Sequence, residues 1–82
     1  MRQIKLQDIK ERLGVLNMLI ASQGIEAYHE RRYGYNALDL HDKNGEIIDT
    51  LASGMTRAEC YNWINAAIRG IDLYAYKSSI PR

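Results

Sequence analysis

One dipeptide, Asn44-Gly45, constrains the fold of this chain more than any other feature. It separates two runs that are rich in apolar residues, 37–40 and 47–51. Asn-Gly between such runs is the strongest short-range signal of a β-hairpin, because the turn needs a residue that adopts the left-handed backbone region. The sequence therefore predicts two antiparallel strands joined by a type I turn, with Gly45 in the left-handed conformation.

The hairpin also predicts a register for these two strands. It places Leu40 opposite Ile48 and Leu38 opposite Thr50, on the face toward the helices. An earlier strand is expected to join them through residues 33–35, but its poor alternation leaves its register open. The three strands are predicted at about residues 26–32, 36–41 and 46–52.

Two helices flank the strands. The first is predicted over about residues 6–22, because apolar residues recur there at steps of three and four. Gly24 is expected to end it in a left-handed cap. Its core stripe comprises Leu6, Ile9, Leu13, Leu16 and Ile20.

The second helix has the clearest start in the chain. Thr56 and Glu59 have the spacing of a capping box, in which each side chain bonds the other residue's backbone N–H. Met55 and Cys60 occupy the two apolar staple positions around it. The helix is predicted over about residues 57–76, followed by a frayed tail at 77–82. Its core stripe comprises Cys60, Ile64, Ala67, Ile68, Ile71 and Ala75.

Together these elements predict one α+β domain over residues 1–82, with the order α-β-β-β-α. The strands form a three-stranded antiparallel β-meander with both helices packed on one face, and the other face is left open to water. A chain of 82 residues buries only about 60% of its unfolded surface, so its core is marginal and an oligomer is expected.

This order of elements resembles the double-stranded-RNA-binding domain over about residues 13–71. The landmarks are Leu16-Asn17, Gly24, Tyr28, Gly45, Gly54 and Ala66-Ala67. The resemblance implies the same fold. It also implies binding of duplex RNA through the first helix, the loop between the first two strands and the start of the second helix.

The RNA-binding motifs of that family differ from this sequence. The family loop usually carries Gly-Pro-x-His, whereas residues 32–36 read Arg-Tyr-Gly-Tyr-Asn. The family's second helix starts with Lys-Lys-x-Ala-Lys, whereas residues 56–59 read Thr-Arg-Ala-Glu. Because phosphate binding needs clustered cations, nucleic-acid binding (duplex RNA or DNA) is the alternative function and not the leading one.

The charge balance points the same way. Eleven Lys and Arg residues stand against ten Asp and Glu, a net charge of +1. A dedicated nucleic-acid binder normally carries a strongly positive field. The sequence also has neither a signal peptide nor an apolar run of about 20 residues, so a cytoplasmic protein without a membrane partner is expected.

Two surfaces are candidates for contact with a partner. The first is the predicted hairpin tip, because Tyr and Arg are enriched at binding hot spots; a solvated tip is the simpler alternative. The second lies on the first helix, whose C-terminal half is apolar nearly all round and exposes a patch unless the second helix covers it. The tip residues are Arg31, Arg32, Tyr33, Tyr35 and Asn36. The helical residues are Val15, Met18 and Leu19, with Trp63, Leu73 and Tyr74 on the second helix.

One flank of the second helix alternates large and small side chains. Trp63, Ala67, Gly70 and Tyr74 follow one another at steps of three and four residues. Small residues between two aromatics form a groove for another helix, and the first helix of the same chain is the expected occupant. Gly70 is then expected to permit the close packing.

A cluster of polar residues is expected on the open face of the sheet. The predicted register sets Asp39 opposite Asp49, with His41 two residues along. Like charges directly opposite each other are destabilising without compensation. A divalent metal, Arg31 or Arg32 would supply it, or a different register would remove the need. Since metal sites generally need three or more well-placed ligands, no metal site is assigned.

Catalytic patterns are weak in this sequence. The single cysteine, Cys60, lies on a core stripe, where cysteine normally behaves as a small apolar residue. There is no Gly-rich phosphate loop, no Ser-His-Asp pattern and no clearly paired acid and base, so neither an enzyme nor a cofactor is expected. The leading hypothesis is a protein-interaction module of bacterial or phage type, acting as a homodimer or as an accessory or inhibitor protein on a larger partner.

Overall fold

The computed structural model describes the backbone of residues 3–79 and the side chains of residues 3–74. It confirms the predicted fold, a three-stranded antiparallel sheet and two helices in the order α-β-β-β-α. The elements are α1 (Leu6–Ile20), a 3-10 turn (Ala21–Gln23), β1 (Ile25–Arg32), β2 (Tyr35–Asp42), β3 (Ile47–Met55) and α2 (Arg57–Ser79).

The start of α2 follows the predicted capping box. The Thr56 N–H donates to the Glu59 carboxylate at 3.0 Å, and the Glu59 N–H donates to the Thr56 hydroxyl at 3.2 Å. The staple residues Met55 and Cys60 are both buried in the core. Since two N–H groups that the helix leaves unpaired are satisfied within four residues, this start depends only on local sequence.

The helix ends differ from the predicted bounds by a few residues. The α-helical part of α1 ends at Ile20, and a 3-10 turn continues it to Gly24, which adopts the predicted left-handed conformation with φ +72°. Helix α2 continues to Ser79, into the segment that was predicted to be a frayed tail. The side chain of Ala75 and residues 80–82 lie outside the described part of the chain.

The core forms between the helices and one face of the sheet. Leu38 on the central strand is fully buried, in one cluster with Ile9 of α1 and Ile64 of α2. The remaining buried members are Leu16, Ala27, Met55, Cys60 and Ile68. Burying a side chain of this size stabilises a fold by about 1.5–3 kcal/mol, so this single layer holds most of the stabilising contacts.

The two helices run side by side in the same direction. Ile4 shares a groove with Thr56 and Ala58 at the start of both helices. Eight residues further along each helix, the Arg12 side chain donates from Nε to Asn65 Oδ1 at 2.6 Å. The flank of α2 that contains Asn65 therefore faces α1.

The predicted register of β2 and β3 is correct only beside their turn. Gly45 has φ +82°, as predicted, and its N–H donates to the Asp42 carbonyl at 3.0 Å. Three register shifts follow along the hairpin, so that Leu40 pairs with Asp49 instead of Ile48. Leu38 likewise pairs with Ala52 instead of Thr50. Each shift adds a residue to β3 and is the signature of a β-bulge.

The expectation that Gly70 allows close packing of the two helices is wrong. A Cβ atom built on Gly70 has no neighbouring atom within 4 Å, because α1 contacts the other flank of α2. Gly14, in the middle of α1, is equally open. Neither helical glycine is therefore required by the packing of its own chain.

We predict that Gly14→Ala and Gly70→Ala each stabilise the isolated protein by about 0.5–1 kcal/mol, because alanine has the higher helix propensity and no clash arises. Thermal or urea unfolding measures the change. Gly45→Ala is the matched control and is expected to destabilise, since its left-handed conformation is unfavourable for alanine. Destabilisation by Gly14→Ala would contradict the open environment of α1.

Candidate functional site

The hairpin tip presents an aromatic side chain on an unfavourable backbone. Tyr33 and Gly34 connect β1 to β2 with φ +52° and +80°, the conformation of a type I′ turn. A left-handed conformation costs a non-glycine residue about 1–2 kcal/mol. Contacts of the Tyr33 side chain do not offset this energetic cost within the protein, because Tyr33 is 99% exposed. Such strain, without internal compensation, is often found at binding sites.

The two arginines of the tip are held by the protein itself. Arg31 donates to the Gly34 carbonyl oxygen at 2.8 Å, across the turn. Arg32 donates to the Glu30 carboxylate at 2.6 Å and also to Asp39. The charge of Arg32 is thus balanced by two carboxylates, which weakens the tip as a site for phosphate groups.

Asn36 was predicted to belong to the tip surface, and this prediction is wrong. Its side chain is buried, and its amide donates to the Met55 carbonyl at 3.1 Å. Its amide oxygen lies 2.7 Å from His29 Nε2. Asn36 therefore joins β1, β2 and the end of β3 below the tip, and only Tyr33 and Tyr35 offer exposed aromatic rings there.

The open face of the sheet has a buried acidic residue at its centre. Asp39 is only 1% exposed, although its side chain points away from the helices. It accepts hydrogen bonds from Arg32 on β1 and from the Thr50 hydroxyl on β3, the latter at 2.9 Å. Burial opposes ionisation of Asp39, but the hydrogen bonds from Arg32 and Thr50 outweigh it and hold the pKa of Asp39 below its ordinary value.

The expected juxtaposition of Asp39 with Asp49 does not occur. Asp39 pairs with Thr50, and Asp49 pairs with Leu40, because the bulges in β3 shift the register. The compensation for Asp39 comes from Arg32, one of the alternatives that the sequence left open. Among the described side chains, those of residues 3–74, no three His, Cys, Asp or Glu lie close enough together to hold a metal ion.

The predicted helical surface is exposed to different degrees. Met18 is 80% exposed, and Val15 and Leu19 beside it are exposed to a lesser extent. We call these three residues the α1 surface. On α2, Leu73 and Tyr74 are exposed, whereas Trp63 is partly buried and packs against the core.

A groove runs beside the α1 surface, at the end of the molecule opposite the hairpin tip. Its volume is about 710 Å³, and its walls come from α1, the start of β1 and the turn between β2 and β3. Met18 lines one wall and Tyr28 another, where the tyrosine ring stacks on His41 with ring centroids 4.1 Å apart. Gly14 of α1 and Ala21 of the 3-10 turn line the groove on either side of Met18 along the chain and add little side-chain volume.

A side chain of α1 covers part of the β1 edge of the sheet, a contact that the sequence analysis did not predict. The Ala27 N–H donates to the Asn17 side-chain oxygen at 2.7 Å, and the Asn17 amide donates to the Ala27 carbonyl at 3.0 Å. Asn17 thus satisfies both backbone groups of one β1 residue, as a neighbouring strand would. A polar residue beside the core stripe of α1 was the only available signal.

Cys60 has the environment of a structural cysteine. The residue is fully buried, and burial raises the pKa of its thiol to about 11. Since the thiolate is the nucleophilic form, Cys60 is poorly suited to covalent chemistry.

Comparisons of the chain with known protein families, with curated proteins and with solved structures find no match. The likeness to the double-stranded-RNA-binding domain therefore consists of the shared topology, which the structure shows. Among residues 3–79, no helix has the length and apolar character needed to cross a membrane.

We predict that acid weakens the protein partly through Asp39. Because the folded-state pKa of Asp39 lies below the ordinary value of 3.8, the ionised carboxylate stabilises the fold above that pH. This contribution is lost as the pH falls through the lowered pKa. Asp39→Asn should lower the thermal midpoint at neutral pH and flatten the acid dependence of the free energy of unfolding. Asp49→Asn, at an exposed position, is the control, and equal acid dependence in both variants would contradict the assignment.

Proposed function

We propose that the protein is a non-enzymatic protein-interaction module, working as a homodimer or as a small accessory or inhibitor protein bound to a larger one. The observation that carries this proposal is the exposure of Met18, at 80%, in the middle of an apolar patch on α1. Contiguous exposed apolar patches on small soluble proteins usually mark contacts with other molecules.

The free energy that would be gained by burying the α1 surface supports its role as a contact with a partner. Burying a methionine-sized side chain contributes about 1.5–3 kcal/mol, and Val15 and Leu19 extend the same patch. Leu73 and Tyr74 are also exposed, on α2. A contact of standard size buries about 800 Å² per partner, so it would have to extend beyond the three residues of the α1 surface.

The electrostatics favour a protein over a nucleic acid as the partner. Arg32 is balanced by Glu30 and Asp39, and Arg31 is bonded to a carbonyl oxygen of its own turn. A net charge of +1 also differs from the strong excess of cations from which nucleic-acid binders gain their counterion-release energy.

We predict that Met18→Asp disrupts association, because it places a charge in the centre of the proposed contact. Light scattering at high micromolar concentration measures self-association, and affinity capture from an extract of the source cells measures binding to another protein. Gln7→Asp is the matched control, since it adds the same charge at an exposed position on α1. Circular dichroism checks that both variants remain folded.

The expected result is a dimer, or a captured protein, that is lost with Met18→Asp and kept with Gln7→Asp. A monomer whose captured proteins are identical for the parent and for Met18→Asp would contradict the proposal. Binding of duplex RNA that weakens steeply with added salt would support the nucleic-acid alternative, since that dependence reports phosphate neutralisation.

A further inference from the structure

Strand β1 presents a regular backbone edge. The sheet order is β1-β2-β3, so β1 and β3 are its two edges. All eight residues of β1 pair with β2 without a register shift. Strand β3, in contrast, has three register shifts, and such bulges are a common protection against pairing with another chain. Of the two edges, β1 is therefore the better template for an added strand.

The direction of the backbone groups in β1 follows from the turn that ends it. Arg32 and Tyr35 flank a two-residue turn and form a hydrogen-bonded pair, so every second residue of β1 bonds to β2. The residues between them point their N–H and C=O groups outward, as the contacts of Asn17 with Ala27 demonstrate. His29 and Arg31 have the same orientation, and their outward groups take part in none of the hydrogen bonds found among the backbone of residues 3–79 and the side chains of residues 3–74.

The charges on β1 disfavour pairing with a second copy of itself. An antiparallel two-fold pairing centred on Glu30 sets two glutamates directly opposite each other, and one centred on Arg31 does the same with two arginines. Like charges in these positions are destabilising. A pairing centred on His29 would need the outward groups of Ala27, which Asn17 already holds.

The same charges define a complementary strand. Glu30, Arg32 and Asp39 form an ion-paired group with a net charge of −1. The guanidinium of Arg31 bonds only a carbonyl oxygen among the described contacts and keeps its positive charge. A partner strand would therefore carry a base opposite Glu30 and an acid opposite Arg31, on opposite faces of the extended sheet.

We propose that the edge of β1 at residues 29–31 binds an extended segment of another protein, which adds an antiparallel fourth strand with this charge pattern. This inference rests on the proposed protein-interaction function and adds the form that the bound partner segment takes. Main-chain hydrogen bonds at His29 and Arg31 supply the attraction, and the alternating charges select the sequence. The exposed Tyr33 lies directly beyond this edge, at the turn where the added strand would begin.

A tethered peptide tests the proposal without knowledge of the natural partner. Tyr33→Cys provides an exposed thiol beside the edge, while Cys60 is buried and stays unmodified. The probe is the peptide Cys-Gly-Thr-Glu-Lys-Thr-Val, joined through a disulfide, which sets its Glu opposite Arg31 and its Lys opposite Glu30. Tethering raises the effective concentration to the millimolar range, so weak strand addition is measurable.

Amide hydrogen exchange, followed by NMR, gives the readout at His29 and Arg31. The probe is expected to slow exchange of both amides by at least about ten-fold. A probe N-methylated at its Glu and second Thr, which face β1, should give no protection, whereas N-methylation of its first Thr and its Lys should leave protection intact. A probe with the β1 sequence Tyr-His-Glu-Arg-Arg after Cys-Gly should protect less.

Unchanged exchange at both amides with the first probe would overturn the proposal. Equal protection by the two N-methylated probes would also overturn it, because strand pairing requires only one set of N–H groups. Equal protection by the β1-sequence probe would overturn the charge pattern and favour a second copy of the chain. Since none of these measurements involves Met18, a failure here is separate from a failure of the proposed function.

Discussion

The single apolar layer between the two helices and one face of the sheet is the constraint on which the rest of the structure depends. Leu38, on the central strand, is fully buried in this layer, in one core cluster with Ile9 of α1 and Ile64 of α2. Because both helices pack on the same face of the sheet, this one layer supplies the apolar core of the described residues. The polar groups on the open face and at the edges of the sheet then either bond to side chains of the protein or remain exposed to another molecule.

The open face of the sheet, the β1 edge and the outer side of α1 differ in how far the protein's own side chains cover them. On the open face, Arg32 and Thr50 donate hydrogen bonds to the buried Asp39, so its carboxylate is satisfied within the sheet. At the β1 edge, Asn17 bonds to the backbone N–H and C=O groups of Ala27. The outward backbone groups of His29 and Arg31 remain open to a partner. On the outer side of α1, Met18 is left exposed by the part of the chain that the structure describes. The unsatisfied surfaces are the ones to which the proposed contacts are assigned.

The sequence predicts the features whose partners are close together in the chain. Thr56 and Glu59 specify the start of α2 within four residues, and Gly45 specifies its turn. The register of β3 was predicted wrongly beyond that turn, because the prediction assumed a regular hairpin whereas β3 has three register shifts. The burial of Asp39 was not foreseen either, since it needs Arg32 and Thr50 from two other strands. The exposure of Met18 follows from helical periodicity. The sequence contains no motif that indicates which molecule would bind there.

The most direct test of the account is the accessibility of the Met18 methyl group in solution. NMR relaxation by a soluble gadolinium chelate, measured on methyl-labelled protein, reports how closely solvent approaches each methionine. In the dilute, unassociated protein, the Met18 methyl should relax strongly while that of the buried Met55 is spared. In the associated state, at high concentration or with a captured partner, the enhancement at Met18 should fall toward that of Met55. Protection of Met18 in the dilute monomer, or full accessibility in every associated state, would contradict the claim that another molecule covers α1.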